Sequence, residues 1–242
     1  MGAAHVLPAI FAKRAIGRGV PAPGRQHKCM YTVKEIFPTL QGEGAQVGRA
    51  AVFLRFSGCN LWTGHERDRP LAFCRFCDTD FVGYDGPGGG KFESADALAE
   101  TVERIWRAAV ESHTGKPYVV CTGGEPTLQL DAALIEALHA RGFMVALETN
   151  GTRPVPRGLD WICVSPKAGV PLAQREGNEL KLVFPQIGAQ PPQFERLDFQ
   201  HFFLQPMDGP NQRENLEAAA RYCLAHPPWR LSLQTHKLIG IR

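Results

Sequence analysis

The sequence predicts an α/β fold, an incomplete (partial) TIM-type barrel with reduced helical content. Short apolar and β-branched runs alternate with longer connections, the pattern of a parallel sheet. Most runs end in a polar or glycine-rich tip, and that edge of a parallel sheet is where ligands bind. The link from Gly151 to Trp161 is too short for a full helix, so the ring of helices is incomplete.

Residues 1–29 are rich in Ala, Gly, Pro and Arg and contain no acidic residue. Such a segment can imitate an organelle-targeting peptide. Strand patterning begins only after Met30, so we expect a disordered tail or an over-long start with Met30 as the true beginning. Residues 30–242 read as one domain. Tyr31–Phe37 is a short strand and Thr39–Ala45 a glycine-punctuated loop. Ala51–Phe56 is an apolar strand interrupted only by Arg55, as in a parallel sheet buried on both faces. Tyr84–Lys91, with four glycines and a proline, reads as a turn or flexible loop.

Ser94 caps a helix through Val110, in which Leu98, Val102, Ile105, Trp106 and Ala109 recur at helical spacing. Strand Tyr118–Cys121 ends in Thr122-Gly-Gly-Glu-Pro126. A helix from Leu130 to Ala140 closes on Gly142. Strand Phe143–Leu147 leads into Glu148–Gly151, and strand Trp161–Val164 into Ser165–Lys167. Glu179–Phe184 follows, then His201–Leu204 with the tip Gln205–Asp208. A helix over Arg213–Leu224 and a strand over Arg230–Gln234 precede Thr235–Lys237.

Composition narrows the function classes. The net charge of +3 resides in the first 29 residues, because removing Lys13, Arg14, Arg18, Arg25 and Lys28 leaves −2 for residues 30–242. A nucleic-acid-binding surface is therefore not indicated. No apolar run approaches the roughly 18 residues of a membrane span. Seven cysteines, including a C-x2-C pair and no secretory leader, point to a reducing cytoplasmic setting.

The chemistry concentrates at Cys59, Cys74 and Cys77, a C-x14-C-x2-C set directly after the Ala51–Phe56 strand. Three thiolates on a four-iron cluster leave one iron without a protein ligand, free for a substrate or cofactor. The competing reading is a structural zinc knuckle completed by His65. Gly123-Gly-Glu-Pro126 pairs two side-chain-free positions with a carboxylate, so a ligand can approach the backbone and Glu125 can receive an ammonium group. The same residues also suit a tight strand-to-helix turn.

Together these motifs resemble the radical S-adenosylmethionine (SAM) superfamily. Within it they are similar to the branch that converts 6-carboxy-5,6,7,8-tetrahydropterin to 7-carboxy-7-deazaguanine in queuosine biosynthesis, a carbon–nitrogen lyase reaction that releases ammonia. The resemblance covers Tyr31 to Arg242. It rests on Leu40-Gln-Gly-Glu-Gly44, Phe53–Asn60, Phe76–Asp80, Thr122–Pro126, Glu148–Gly151, Ser165–Lys167, Gln205–Gly209 and Gln234–Lys237. The Asn60–Phe73 insertion departs from the C-x3-C-x2-C of most superfamily members.

The resemblance implies roles for individual residues. Cys59, Cys74 and Cys77 hold a [4Fe–4S] cluster whose open iron chelates SAM. Gly124 and Glu125 lie in the motif that meets the SAM methionine moiety, and Phe76 lies near the adenine. Ser165, Pro166 and Lys167, with Gln205, Pro206, Met207 and Asp208, line the rest of that site. Leu40, Gln41, Gly42, Arg55, Thr122 and the terminal Arg242 match pterin contacts. Thr79 matches a Mg²⁺ ligand, although a hydroxyl in a loop often bonds its own backbone. Glu148 is an acid or base, or an anchor for a ring N–H. His236 reads as a packed histidine, and Cys121, Cys163 and Cys223 as buried thiols. The implied partners are the pterin, an electron donor such as flavodoxin or ferredoxin, and a second copy in a homodimer. An activase that places a glycyl radical on a partner protein shares fold and cluster and is the competing enzyme class.

Cys59→Ala, Cys74→Ala and Cys77→Ala should each lower iron content and abolish turnover, while Cys121→Ala should leave iron unchanged. Full iron and full turnover in a Cys74→Ala protein would refute the ligand assignment.

Overall fold

The computed structural model describes Met1 and residues 31–111 and 114–241. The readings of the tail and of Arg242 lie outside the described residues. A single mixed sheet of nine strands runs through the rest, in the order β3-β1-β2-β4-β5-β6-β7-β8-β9. β1 (Tyr31–Leu40) pairs antiparallel with both β2 (Ala50–Phe56) and β3 (Gly90–Phe92). From β2 onward every neighbour is parallel: β4 (Tyr118–Gly123), β5 (Met144–Thr149), β6 (Trp161–Val164), β7 (Glu176–Phe184), β8 (Asp198–Pro206) and β9 (Trp229–Leu231).

The α/β class and the shortage of helices agree with the sequence reading. The sheet is open and ends on β3 and β9. Residues 90–92, expected as part of a loop or just beyond it, form the edge strand β3. Glycine weakens a strand, and three residues give little pattern, so tertiary pairing with Tyr31–Val33 decides.

Helices cover one face. α1 (Ala95–Ala109) starts where the Ser94 side chain accepts the Ala97 N–H, and α2 (Ala132–His139) where Asp131 accepts that of Leu134. Such caps contribute about 1 kcal/mol each. Asp131 also receives the Tyr31 hydroxyl at 2.7 Å, tying α2 to β1. Leu98, Val102, Leu134 and Leu138 are buried against Val52, Leu54, Val119 and Val145. α3 (Gln212–Ala225) closes a second core with Leu180, Leu182, Leu204 and Trp229. No helix joins β5 to β6, as the short link predicts. A final helix, α4 (Thr235–Ile239), stands where the sequence suggested only a tip. No helix of the described residues is long and apolar enough to cross a membrane.

Alternation along β7 sets up the site. Leu180 and Leu182 point into the helix-side core. Lys181 and Val183 therefore face the other way, into a cavity at the C-terminal ends of the parallel strands.

Candidate active site

That cavity encloses about 560 Å³. Cys59, Cys74 and Cys77 all line it, together with residues from the tips of β1, β2, β4, β5, β7 and β8. The cysteine loop is built around a small core of its own. Trp62, Ala72 and Phe81 are buried, with Trp62 packed edge-on to Phe81 at 5.6 Å and the Arg69 guanidinium over the indole at 4.1 Å. Arg69 also donates to the carbonyls of Arg75 and Cys77 at 2.7 and 3.1 Å. The Asn60–Phe73 insertion, polar by sequence, is thus an ordered support for the thiols.

The thiols differ electrostatically. Cys74 donates a hydrogen bond to Cys77, which holds Cys77 below the usual thiol range and, with burial, pushes Cys74 up. Burial raises Cys59. His65 is exposed and does not line the cavity, so the zinc knuckle lacks its fourth ligand. Among the described residues no three His, Cys, Asp or Glu side chains converge on one ion. A four-iron cluster instead takes its ligands at separate corners.

The Gly-Gly-Glu segment is stitched to this loop. A Cβ on Gly124 would lie 2.1 Å from the Gly58 carbonyl oxygen, and one on Gly123 (φ +144°) 2.3 Å from that of Phe56. The Glu125 N–H donates to the Gly58 carbonyl at 2.9 Å. These glycines admit the neighbouring backbone first, and Gly124 still borders the cavity.

Glu125 departs from its expected ammonium-receiving place. It is 0% exposed, is not part of the cavity wall, and accepts four hydrogen bonds. Thr127 supplies its N–H and hydroxyl at 3.0 and 2.6 Å, Thr149 its hydroxyl at 2.7 Å, and Asn150 its N–H at 2.8 Å. Three of these bonds fall on Oε1 and one on Oε2, and together they lock the β4 tip to the β5 tip.

The remaining predicted residues come together well. Leu40, Gln41, Arg55, Phe76, Thr79, Thr122, Glu148, Ser165, Lys167, Gln205, Pro206, Met207 and Asp208 all line the cavity. Gly42 and Pro166 do not. Lys167 donates to the Ser165 carbonyl and hydroxyl at 2.6 and 2.7 Å, and its charge favours ionised Cys74 and Cys77. Gln205 is 5% exposed, and its Oε1 has no partner among the described residues, leaving an acceptor for a bound ligand. Thiols on one wall, close-set glycines and this orphaned acceptor suit a cluster with a polar cofactor beside it.

Several partners of the charged groups escaped the sequence reading, Glu35, Lys34, Lys181 and Lys237 among them. Arg55 is held by Glu35 at 2.9 Å. Lys34, 8% exposed, bridges Asp80 and Asp85 at 2.8 Å each and so fixes the loop after Thr79. Lys181 joins Glu148 to Glu43. Lys237 joins Asp78 to Asp208 at 2.6 Å each, anchoring α4 across the mouth. His236, expected to be merely packed, lines the cavity with its ring against Gly42. A signal existed for Lys181, since a lysine between two leucines of a buried strand is unusual.

Burial opposes ionisation of Glu148, but the Lys181 charge, its hydrogen bond and that of Gln41 outweigh it and hold Glu148 below the usual carboxylate range. It therefore stays an ionised acceptor at neutral pH, a better anchor for an N–H than a proton donor.

A three-cysteine loop on a largely parallel α/β sheet is the arrangement of a radical SAM enzyme, and the family model described as the radical SAM superfamily matches residues 70–177. The 7-carboxy-7-deazaguanine synthase of Bordetella pertussis is 63% identical over 211 residues, covering 87% of this chain and 99% of that one. The synthase of Caulobacter vibrioides is 62% identical with the same coverage. The solved structure titled "Crystal structure of QueE from Escherichia coli" matches with TM-score 0.62 and 26% identity, covering 84% of this chain and 93% of that one. The chain belongs to the 7-carboxy-7-deazaguanine synthase family. Membership implies a [4Fe–4S] cluster and SAM.

Gly124→Ala should lower iron content at least several-fold with the fold retained, because its methyl group must displace Gly58 and Cys59. Iron per chain measured beside far-UV circular dichroism checks this; normal iron would show that the loop accommodates the methyl.

Proposed function

We propose that the protein converts 6-carboxy-5,6,7,8-tetrahydropterin to 7-carboxy-7-deazaguanine with loss of ammonia. The observation that carries this reading is one cavity shared by three thiols and a frame of oriented charges that includes Arg55, Glu43 and Glu148. Cys59, Cys74 and Cys77 would hold the cluster. Gly124, Phe76, Ser165, Lys167 and Gln205–Asp208 would hold SAM, with Gln205 Oε1 as a ready acceptor. When bound, the cluster and SAM supply the radical that removes a hydrogen atom from the substrate.

The chain's own residues position that substrate. Arg55 presents a planar donor to a carboxylate or ring oxygen. Gln41 and Glu148 offer a donor and an acceptor to a pterin edge, with Leu40 and Thr122 along the ring, and Gly42 and Arg242 completing the family's set. Glu125 acts beneath the site by fixing two tips. Sequestration by α4 limits side reactions of a reactive intermediate. The relatives favour this lyase over the activase alternative, as does a cavity of small-molecule size. The reading further includes a partial-barrel sheet, Mg²⁺ on Thr79, a flavodoxin- or ferredoxin-type donor, a homodimer and a cytoplasmic setting.

Anaerobic incubation with SAM, a reductant and the carboxytetrahydropterin should yield 7-carboxy-7-deazaguanine by mass spectrometry; no product from cluster-replete protein would reject the proposal. Mg²⁺ should stimulate that turnover, since a cation orients a carboxylate among Asp78, Asp80 and Arg55. Misplacement of the reacting carbon can cost on the order of 10²-fold in rate. Thr79→Ala should blunt the Mg²⁺ response with the cluster intact. An equal response in both proteins would move the metal away from Thr79.

A further inference from the structure

We propose that Lys181 is a positioning residue, holding Glu43 and Glu148 as paired acceptors for the N–H edge of a flat heterocyclic substrate; this rests on the functional reading above. Its Nζ lies 2.5 Å from Glu43 Oε2 and 2.9 Å from Glu148 Oε2. The second oxygen of each carboxylate meets a carboxamide at 3.0 Å, Gln234 on Glu43 and Gln41 on Glu148. Gln41 in turn accepts the Glu43 N–H at 3.1 Å. One ammonium thus sits in a closed frame that joins the β1–β2 loop, β5, β7 and the residue before α4.

The placement is costly without a purpose. Lys181 is 4% exposed, between Leu180 and Leu182, and a buried charge is tolerated only when paired. Glu43, Glu148, Glu179 and Cys163 surround it, and Arg55 also acts on Glu148. Burial favours a neutral lysine, but these neighbours outweigh it and keep Lys181 charged. Lys181 in turn opposes the burial that would protonate Glu148. An ionised carboxylate accepts without donating, so such a wall selects a ring edge rich in N–H groups. Sites built to pair with a substrate N–H strongly reject analogues that lack it.

The test uses full-length, cluster-replete Lys181→Gln and Lys181→Met proteins. Lys181→Gln keeps a donor and most of the volume, so the comparison survives if Lys181→Met does not fold. Binding of the carboxytetrahydropterin to SAM-loaded, unreduced enzyme is measured anaerobically by calorimetry across pH, followed by KM and kcat. Without the cation the carboxylates hold protons to higher pH, so the acid limb of binding should move upward by a unit or more. Affinity near neutral pH should fall on the order of 10²-fold, with KM affected more than kcat. Iron content and SAM affinity should match the parent. A parent-like affinity and pH limb in the variants would overturn the proposal. So would parallel loss of iron or SAM binding, which would make Lys181 a general support. A parent enzyme that fails to bind the pterin at all would overturn the functional reading itself, and this assignment with it.

Discussion

The site depends on one buried carboxylate. Glu125 is fully enclosed and accepts four hydrogen bonds from the tips of two adjacent strands, while its own N–H binds the loop that carries Cys59. Leaving a buried hydrogen-bonding group unsatisfied typically costs roughly 1–3 kcal/mol, so these tips are fixed together or lost together. Gly123 and Gly124 allow the contact, because any side chain there would overlap Phe56 or Gly58. The strand tips, the thiols and the cavity-lining glycines therefore form one mechanical unit.

Around that unit the cavity is organised by lysines, each shared between two carboxylates and tying together separate parts of the chain. Lys34 joins Asp80 and Asp85 beyond Thr79, Lys181 joins Glu43 and Glu148 on the cavity wall, and Lys237 joins Asp78 and Asp208 beside α4. The exposed pairs contribute little to stability. Their value is geometric: loops from distant parts of the chain are set at fixed distances, and acceptors stay ionised in a partly buried space. Rigid placement of reacting groups is what the protein adds to chemistry carried by a cofactor.

Much of this was legible in the sequence. Ser94 and the apolar spacing of Leu98 and Val102 mark α1 to within a residue, and the short Gly151–Trp161 link correctly omits a helix. The three-cysteine loop and the polar strand tips locate the cavity. What escaped depends on partners distant in the chain. β3 forms because Tyr31–Val33 pairs with it, and α4 is too short to show a period. Glu125 resembles a ligand-binding carboxylate until Thr149 and Asn150 are seen to occupy it. Lys34 is an ordinary lysine, and Lys181 an unusual one between two leucines, until strand alternation turns both inward. The Asn60–Phe73 insertion reads as polar slack because its core draws on Phe81 and on a guanidinium stacked over Trp62.

The central claim is that three thiols on one loop hold a four-iron cluster with an open iron beside the SAM site. Electron paramagnetic resonance of the anaerobically reduced protein, recorded before and after adding SAM, tests it most directly. The claim predicts a reduced [4Fe–4S] signal that shifts on addition of SAM and disappears in Cys77→Ala. A zinc-loaded protein without the signal, or a signal indifferent to SAM, would contradict it.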